Sequence, residues 1–149
     1  MTTLEAGDKA PDFSVEDQDG NTVSLSNFKG MKLVLFFYPK ASTPGCTAEA
    51  CNLRDNWKHF EKKGYSILGV SGDSKKRQQN FKNKYELPFP LLADEEKEVI
   101  NAYGVWGPKK FMGKEYEGIH RTTFIIDENG QIEDVIKKVK TKEHAAQIL

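Results

Sequence analysis

The stretch "FYPKASTPGCTAEAC", residues 37–51, decides how this chain is read. It opens on the end of an apolar, aromatic run, "KLVLFFY" (32–38), breaks at Pro39, and passes through Thr43, Pro44 and Gly45 to Cys46. A continuous apolar run of that length is the pattern of a central strand covered on both faces. Beyond the break, Ala50, Leu53, Trp57 and Phe60 make a helical stripe across residues 44–62, with Gly64 as the stop. The chain therefore runs strand, tight loop, helix. Cys46 and Cys51, its only cysteines, lie at the start of that helix.

Working outward, "DFSVEDQDGNTVSL" alternates about Asp-Gly-Asn and predicts a hairpin of two short strands. "SILGVS" (66–71) is a second buried strand, and 74–85 a polar helix carrying Phe81 and Tyr85 four apart. "PLLAD" reads as a short strand and "EEKEVINAYG" as a helix ended by Gly104. "RTTFIID" (121–127) and "QIEDVIKKV" (131–139) flank Glu-Asn-Gly as a hairpin, and "KEHAAQIL" closes with a short helix. The order ββ, βαβα, βαββα predicts one domain over 1–149. It is an α/β fold resembling thioredoxin: a central mixed sheet flanked by helices, with an N-terminal hairpin extension.

Composition excludes several classes of function. Lys plus Arg equals Asp plus Glu at 22 each, so no net field gathers nucleic acid or anionic lipid. No apolar run is long enough to cross a membrane, and "MTTLEAGDKAPDF" lacks the basic and apolar regions of a signal peptide. The expected compartment is the cytoplasm, where two nearby cysteines read as redox chemistry or a metal site before they read as a staple.

The helix start favours redox chemistry. Thr43 is a good N-cap and Pro44 a good first helical residue, which makes Cys46 the third helical position. A thiol there lies beside unpaired backbone N–H groups at the positive end of the helix dipole, and both favour the nucleophilic thiolate. The blander alternative is a small buried hydrophobe extending the apolar stripe. Cys51 is five positions on. In an ideal helix its Cα would be roughly 8.5 Å from that of Cys46, beyond the ~7 Å reach of a disulfide. Either the two never bond, or the first turns unwind when they do.

Pro39-Lys40-Ala41-Ser42-Thr43-Pro44-Gly45-Cys46 resembles the Pro-x-x-x-Thr-x-x-Cys signature of peroxiredoxins, cysteine-based peroxidases. The continuation to Cys51, with "AGDKAPDFSVEDQDG", "GVWGPKKFMG" and "GIHRTTFIIDENG" in the same order, is similar to the Q-type, or bacterioferritin comigratory protein, subfamily. The resemblance implies that Cys46 is the peroxidatic cysteine and passes through a sulfenic acid. It implies that Cys51 resolves this to an intramolecular disulfide, which thioredoxin or a similar dithiol reduces. Thr43 would hydrogen-bond the sulfur and the peroxide, Pro39 would shield the site, and Arg121 would stabilise thiolate and developing charge. Glu49, one turn after Cys46, either helps order the site or is a solvated helix residue. Hydrogen peroxide and organic hydroperoxides would be the substrates, no bound cofactor or metal would be needed, and the subfamily leans towards a monomer.

The remaining residues add less. His59, His120 and His144 lack metal-ligand spacing, and His120 adjoins Arg121 but points to the opposite strand face. No phosphate-binding glycine pattern follows a strand. "VSGDS" (70–74) places small polar residues at a strand end, where ligands often bind in open α/β sheets, but reads first as a helix N-cap. Trp106, Phe111, Met112 and Tyr116 fall in a Gly-rich stretch, 104–118, that reads as a long loop with apolar side chains packed beneath it or walling a pocket. A thioredoxin-like disulfide exchanger would need Cys-x-x-Cys, which is absent; a peroxide sensor or holdase could use the same two cysteines.

Overall fold

The computed structural model describes residues 2–149. Its centre is β3 (Lys32–Phe37), buried along almost its whole length as the apolar run requires. β3 pairs in parallel with β4 (Tyr65–Ser71), and β4 with β5 (Leu91–Ala93); on its other side β3 pairs antiparallel with β8 (Thr122–Ile126), and β8 with β9 (Ile132–Ile136). The five strands lie in the order β5-β4-β3-β8-β9, a mixed sheet. β1 (Ser14–Glu16) and β2 (Thr22–Ser24) form the expected N-terminal hairpin. The thioredoxin-like α/β architecture holds.

The period-2 alternation of β3 separates two cores. Leu33, Leu35 and Phe37 face one side, with Val70, Ile100, Tyr103 and Phe124. Val34, Phe36 and Tyr38 face the other, with Ala50, Leu53, Phe60, Phe81 and Cys46. Cys46 thus sits at the edge of an apolar layer and is 1 % exposed. Gly69 of β4 is required by this packing, since a Cβ there would lie 2.7 Å from Leu91 and 2.9 Å from Phe36.

Three expectations need correction. The helix predicted over 44–62 is two helices, α1 (Pro44–Asp55) and α2 (Trp57–Lys62), divided at Asn56. The Asn56 side chain donates back to the Asn52 carbonyl at 2.9 Å, a local competitor to helix continuation. The helix expected from Glu95 to Gly104 is only α4 (Glu98–Ala102), because Lys97 adopts a left-handed φ of 60° and the Asp94 carboxylate caps the later turn at Glu98 and Ile100. The stretch 104–118 is no loop but a hairpin, β6 (Trp106–Phe111) and β7 (Lys114–Ile119). Its turn is Met112-Gly113, both at positive φ (51° and 80°), the geometry of a two-residue hairpin turn that Met rarely signals. Phe111, Met112 and Tyr116 are exposed there rather than packed beneath a loop.

The other helices are α3 (Lys75–Lys84) and α5 (His144–Ile148). Ser74 caps α3 by accepting from the Arg77 N–H, as read from "VSGDS". α5 lies against α1: Asn52 accepts from the Ala145 N–H at 2.7 Å and donates to the Lys142 carbonyl at 3.0 Å.

Candidate active site

The site forms where β3 ends and α1 begins. Between them, residues 39–43 turn sharply, with Ser42 at a left-handed φ of 63°. That conformation costs a non-glycine residue about 1 kcal/mol, so something must hold it. The Asp73 carboxylate does so, accepting from the Ala41 N–H at 2.7 Å and from the Ser71 hydroxyl at 2.7 Å. Ser71 in turn accepts from the Gln78 amide at 3.0 Å, and Gln78 accepts from the buried Tyr38 hydroxyl. A buried polar chain therefore runs from the strand beneath the loop to the loop itself. Sequence reasoning read this segment as a helix cap, with a strand-end ligand site as the other reading, and not as a loop anchor. Serine and aspartate after a strand were the available signal, but their target, Ala41, lies 32 residues upstream of Asp73.

Thr43 is the N-cap of α1 by backbone geometry (φ −83°, ψ 155°), with Pro44 as first helical residue. Its carbonyl accepts the first helical bond, from Thr47 N–H at 2.8 Å. Its hydroxyl differs from expectation: it donates to the Lys40 carbonyl at 2.8 Å and caps no helical N–H. The hydroxyl closes the loop instead of pointing at the helix mouth. Pro39 is half-buried where the loop leaves β3.

Arg121 immediately precedes β8, the antiparallel neighbour of β3, and this pairing carries it to Cys46. Its Nη2 donates to Cys46 Sγ at 3.4 Å and its Nη1 to Glu49 Oε1 at 2.7 Å. One planar guanidinium thus bridges sulfur and carboxylate, which suits arginine's fixed fork and not a lysine's point charge. Glu49 is fully buried, so it is no solvated helix residue. Burial, against the pull of Arg121, pushes its carboxyl up to about 7. His120 turns away, its Nε2 meeting the Pro108 carbonyl at 3.0 Å.

His144 was missed as a neighbour of the site. It is fully buried on α5, and its Nε2 lies 3.4 Å from Glu49 Oε2 and 2.7 Å from Thr123 Oγ1. A histidine 95 positions from Glu49 and in a helix of five residues offers no local signal. Only tertiary packing joins them.

Both cysteines are free thiols, Cys46 buried and Cys51 half-buried. α1 is unbroken between them, so ideal helix geometry keeps their Cα atoms roughly 8.5 Å apart. Burial pushes the Cys51 thiol up, with Arg54 pulling the other way. Next to Arg121 lies a shallow cavity of about 380 Å³ lined by Lys109, His120, Lys137 and Lys138, with no acidic residue in its wall. Among the described residues no cluster of three His, Cys, Asp or Glu is placed to hold a metal ion, and no helix is long and apolar enough to cross a membrane.

A buried cysteine at a loop-to-helix junction on a thioredoxin-like sheet, with an arginine supplied across the strand pairing, is the site of a class of thiol-dependent enzymes. The chain belongs to the AhpC/TSA family, whose model matches residues 6–135. It is 50% identical over 144 residues to peroxiredoxin Bcp of Escherichia coli (strain K12), covering 97% of this chain and 92% of that one. To peroxiredoxin Bcp of Bacillus subtilis (strain 168) it is 48% identical over 147 residues, covering 99% and 94%. Among solved structures, a cysteine-to-serine mutant of Xylella fastidiosa PrxQ superposes with a TM-score of 0.93 at 29% identity, covering 99% and 94%. The bacterioferritin comigratory protein of Xanthomonas campestris, solved in work on its alkyl peroxide reduction, gives 0.87 at 36%, again covering 99% and 94%. The protein is an enzyme, a thiol peroxidase of the peroxiredoxin type.

Proposed function

We propose that the enzyme reduces hydrogen peroxide and organic hydroperoxides through Cys46, resolves the oxidised sulfur with Cys51, and is recycled by thioredoxin or a similar dithiol. The observation that carries this reading is the Arg121 guanidinium 3.4 Å from Cys46 Sγ, fixed by Glu49 at 2.7 Å. The Cys46 thiolate attacks the terminal peroxide oxygen. The S–O bond forms as the O–O bond breaks, leaving a sulfenic acid and an alkoxide that takes a proton to become the alcohol, or water from hydrogen peroxide. Arg121 meets the charge that moves from sulfur to the departing oxygen, a preorganised donor beside a buried sulfur. Thr43 turns its hydroxyl from the Lys40 carbonyl to the peroxide, and Pro39 walls the loop side.

Resolution follows from helix geometry. For Cys51 to attack the sulfenic acid and expel water, the first turns of α1 must unwind, because an intact helix holds the two Cα atoms beyond disulfide reach. Unwinding also relieves the burial that pushes the Cys51 thiol up, so the motion that brings the resolving sulfur near also favours its thiolate. An external dithiol then reduces the bond by exchange. The protein works without a bound cofactor, as a monomer in a reducing cytoplasm.

The test is a coupled assay of peroxide consumption with thioredoxin, thioredoxin reductase and NADPH, with mass spectrometry of the oxidised chain. Catalytic NADPH use and a Cys46–Cys51 bridge are expected. A single stoichiometric oxidation without turnover would instead identify a sensor.

A further inference from the structure

Gln147 fixes the state of His144. Its Oε1 accepts from the Lys140 N–H at 2.9 Å and its Nε2 donates to the Lys138 carbonyl at 2.9 Å, so the orientation of the amide is settled. That same Oε1 lies 2.8 Å from His144 Nδ1, which must therefore carry a hydrogen and donate. In a neutral imidazole of this tautomer, Nε2 is a lone pair, and the Thr123 hydroxyl donates to it at 2.7 Å. Nε2 also faces Glu49 Oε2 at 3.4 Å, and Oε2 is a buried carboxyl oxygen with no hydrogen-bond partner among the described residues. An ionised carboxylate oxygen that faces this lone pair with no donor of its own would cost several kcal/mol in so buried a place. One proton held by the pair, on the carboxyl or on the ring, removes that cost.

We infer that Glu49 and His144 share one proton in the reduced enzyme, and that this neutral pair leaves Arg121 with the Cys46 sulfur as its one anionic partner. His144 is then a positioning residue acting through Glu49, and the C-terminal helix α5 belongs to the catalytic apparatus. The charged groups around Glu49 are few: Cys46 on its own helix, Arg121 at the head of β8, and His144 on α5, with Lys109 of β6 acting on Arg121 and Cys46. Burial pushes the Glu49 carboxyl up and the His144 ring down, which places the shared proton on the carboxyl. When the pair loses that proton, the carboxylate competes with the thiolate for a single guanidinium, and the pair titrates as a unit.

This deepens the peroxidase reading and rests on it for its kinetic consequence only. Carbon and nitrogen NMR of the reduced, full-length protein reports Glu49 and His144 directly, with no peroxide present. At about pH 6, a protonated Glu49 carboxyl opposite a neutral ring, or an imidazolium opposite a carboxylate, is the expected result. A neutral ring facing an ionised carboxylate at that pH overturns the inference, whatever the enzyme does with peroxide. In stopped-flow oxidation by hydrogen peroxide, the wild-type rate constant should fall by about tenfold on the alkaline side of pH 7, the effect of roughly one pKa unit. Glu49→Gln should lose that limb and His144→Phe should move it. Variants slowed equally at every pH, with the limb unmoved, would reduce His144 to packing. Should His144→Phe fail to fold, Glu49→Gln and the wild-type NMR still decide.

Discussion

Gly45 leaves the space that Arg121 fills: a Cβ on Gly45 would stand 3.1 Å from Arg121 Nη2, the nitrogen that donates to Cys46. Gly45 is the second residue of α1 and has no left-handed backbone to justify glycine. Its smallness serves the neighbouring guanidinium. Gly45→Ala should therefore leave stability unchanged or raise it by up to about 1 kcal/mol through helix propensity. It should also slow Cys46 oxidation by roughly tenfold as Nη2 is displaced. Denaturant titration beside stopped-flow kinetics separates the two effects, and a fully active Gly45→Ala would mean that this nitrogen is not needed where it sits.

Cys46→Ser should abolish peroxide turnover, since no other thiol is buried beside a cation. Cys51→Ser should permit one oxidation of Cys46, block recycling by thioredoxin, and accumulate sulfinic acid on excess peroxide. Mass spectrometry distinguishes these products; normal recycling in Cys51→Ser would remove that residue from the cycle. The disulfide form should lose helical far-UV signal relative to the reduced form, and equal spectra would contradict the unwinding of α1.

Asp73 touches no substrate yet holds the loop that carries Thr43. Asp73→Ala strips the Ala41 N–H and the Ser71 hydroxyl of their acceptor. A stability loss of about 1–3 kcal/mol is expected from the stranded donors. The peroxide rate should fall while thiol content is unchanged. A variant as stable and active as wild type would show that the Ser42 conformation holds itself.

Glu49 gives the fold a defined pH response. Its carboxyl rises from an ordinary 4.5 to about 7 on folding, so the native state retains a proton that the unfolded chain has released between those values. The unfolded state binds fewer protons there, and stability must fall as pH rises through the folded value. The contribution is fully present below about pH 4.5 and is lost by about pH 8, at most about 3 kcal/mol for a group so buried. Glu49→Gln removes the titration. The stability difference between wild type and variant should therefore shift against the wild type from pH 5 to pH 8, and a constant difference would refute the raised value.

Much of the molecule was legible from one dimension. The aromatic run 32–38 announced the central strand because burial on both faces needs unbroken apolar character, and Gly64 and Gly104 stop their helices at φ of 79° and 68°. Helix length was less legible: Asn56 ends α1 through its own side chain, while the apolar stripe continues across the gap into α2. The hairpin 106–119 was read as a loop because a Met-Gly turn and solvent-facing apolar residues lack the usual strand and turn signals.

By itself the sequence determined where the Cys46 sulfur sits along the chain's elements. Thr43, Pro44 and Cys46 set a sulfur at a helix start through local backbone rules, and the spacing to Cys51 bars a bond in an intact helix, both being properties of neighbouring residues. Only the tertiary structure decided what surrounds that sulfur. Arg121 arrives through strand pairing, Asp73 through a loop anchor and His144 through the docking of a short helix, each separated from its partner by tens of residues. The physical reason is that hydrogen bonds and buried charge depend on distance in space, and that distance is set by how the elements pack.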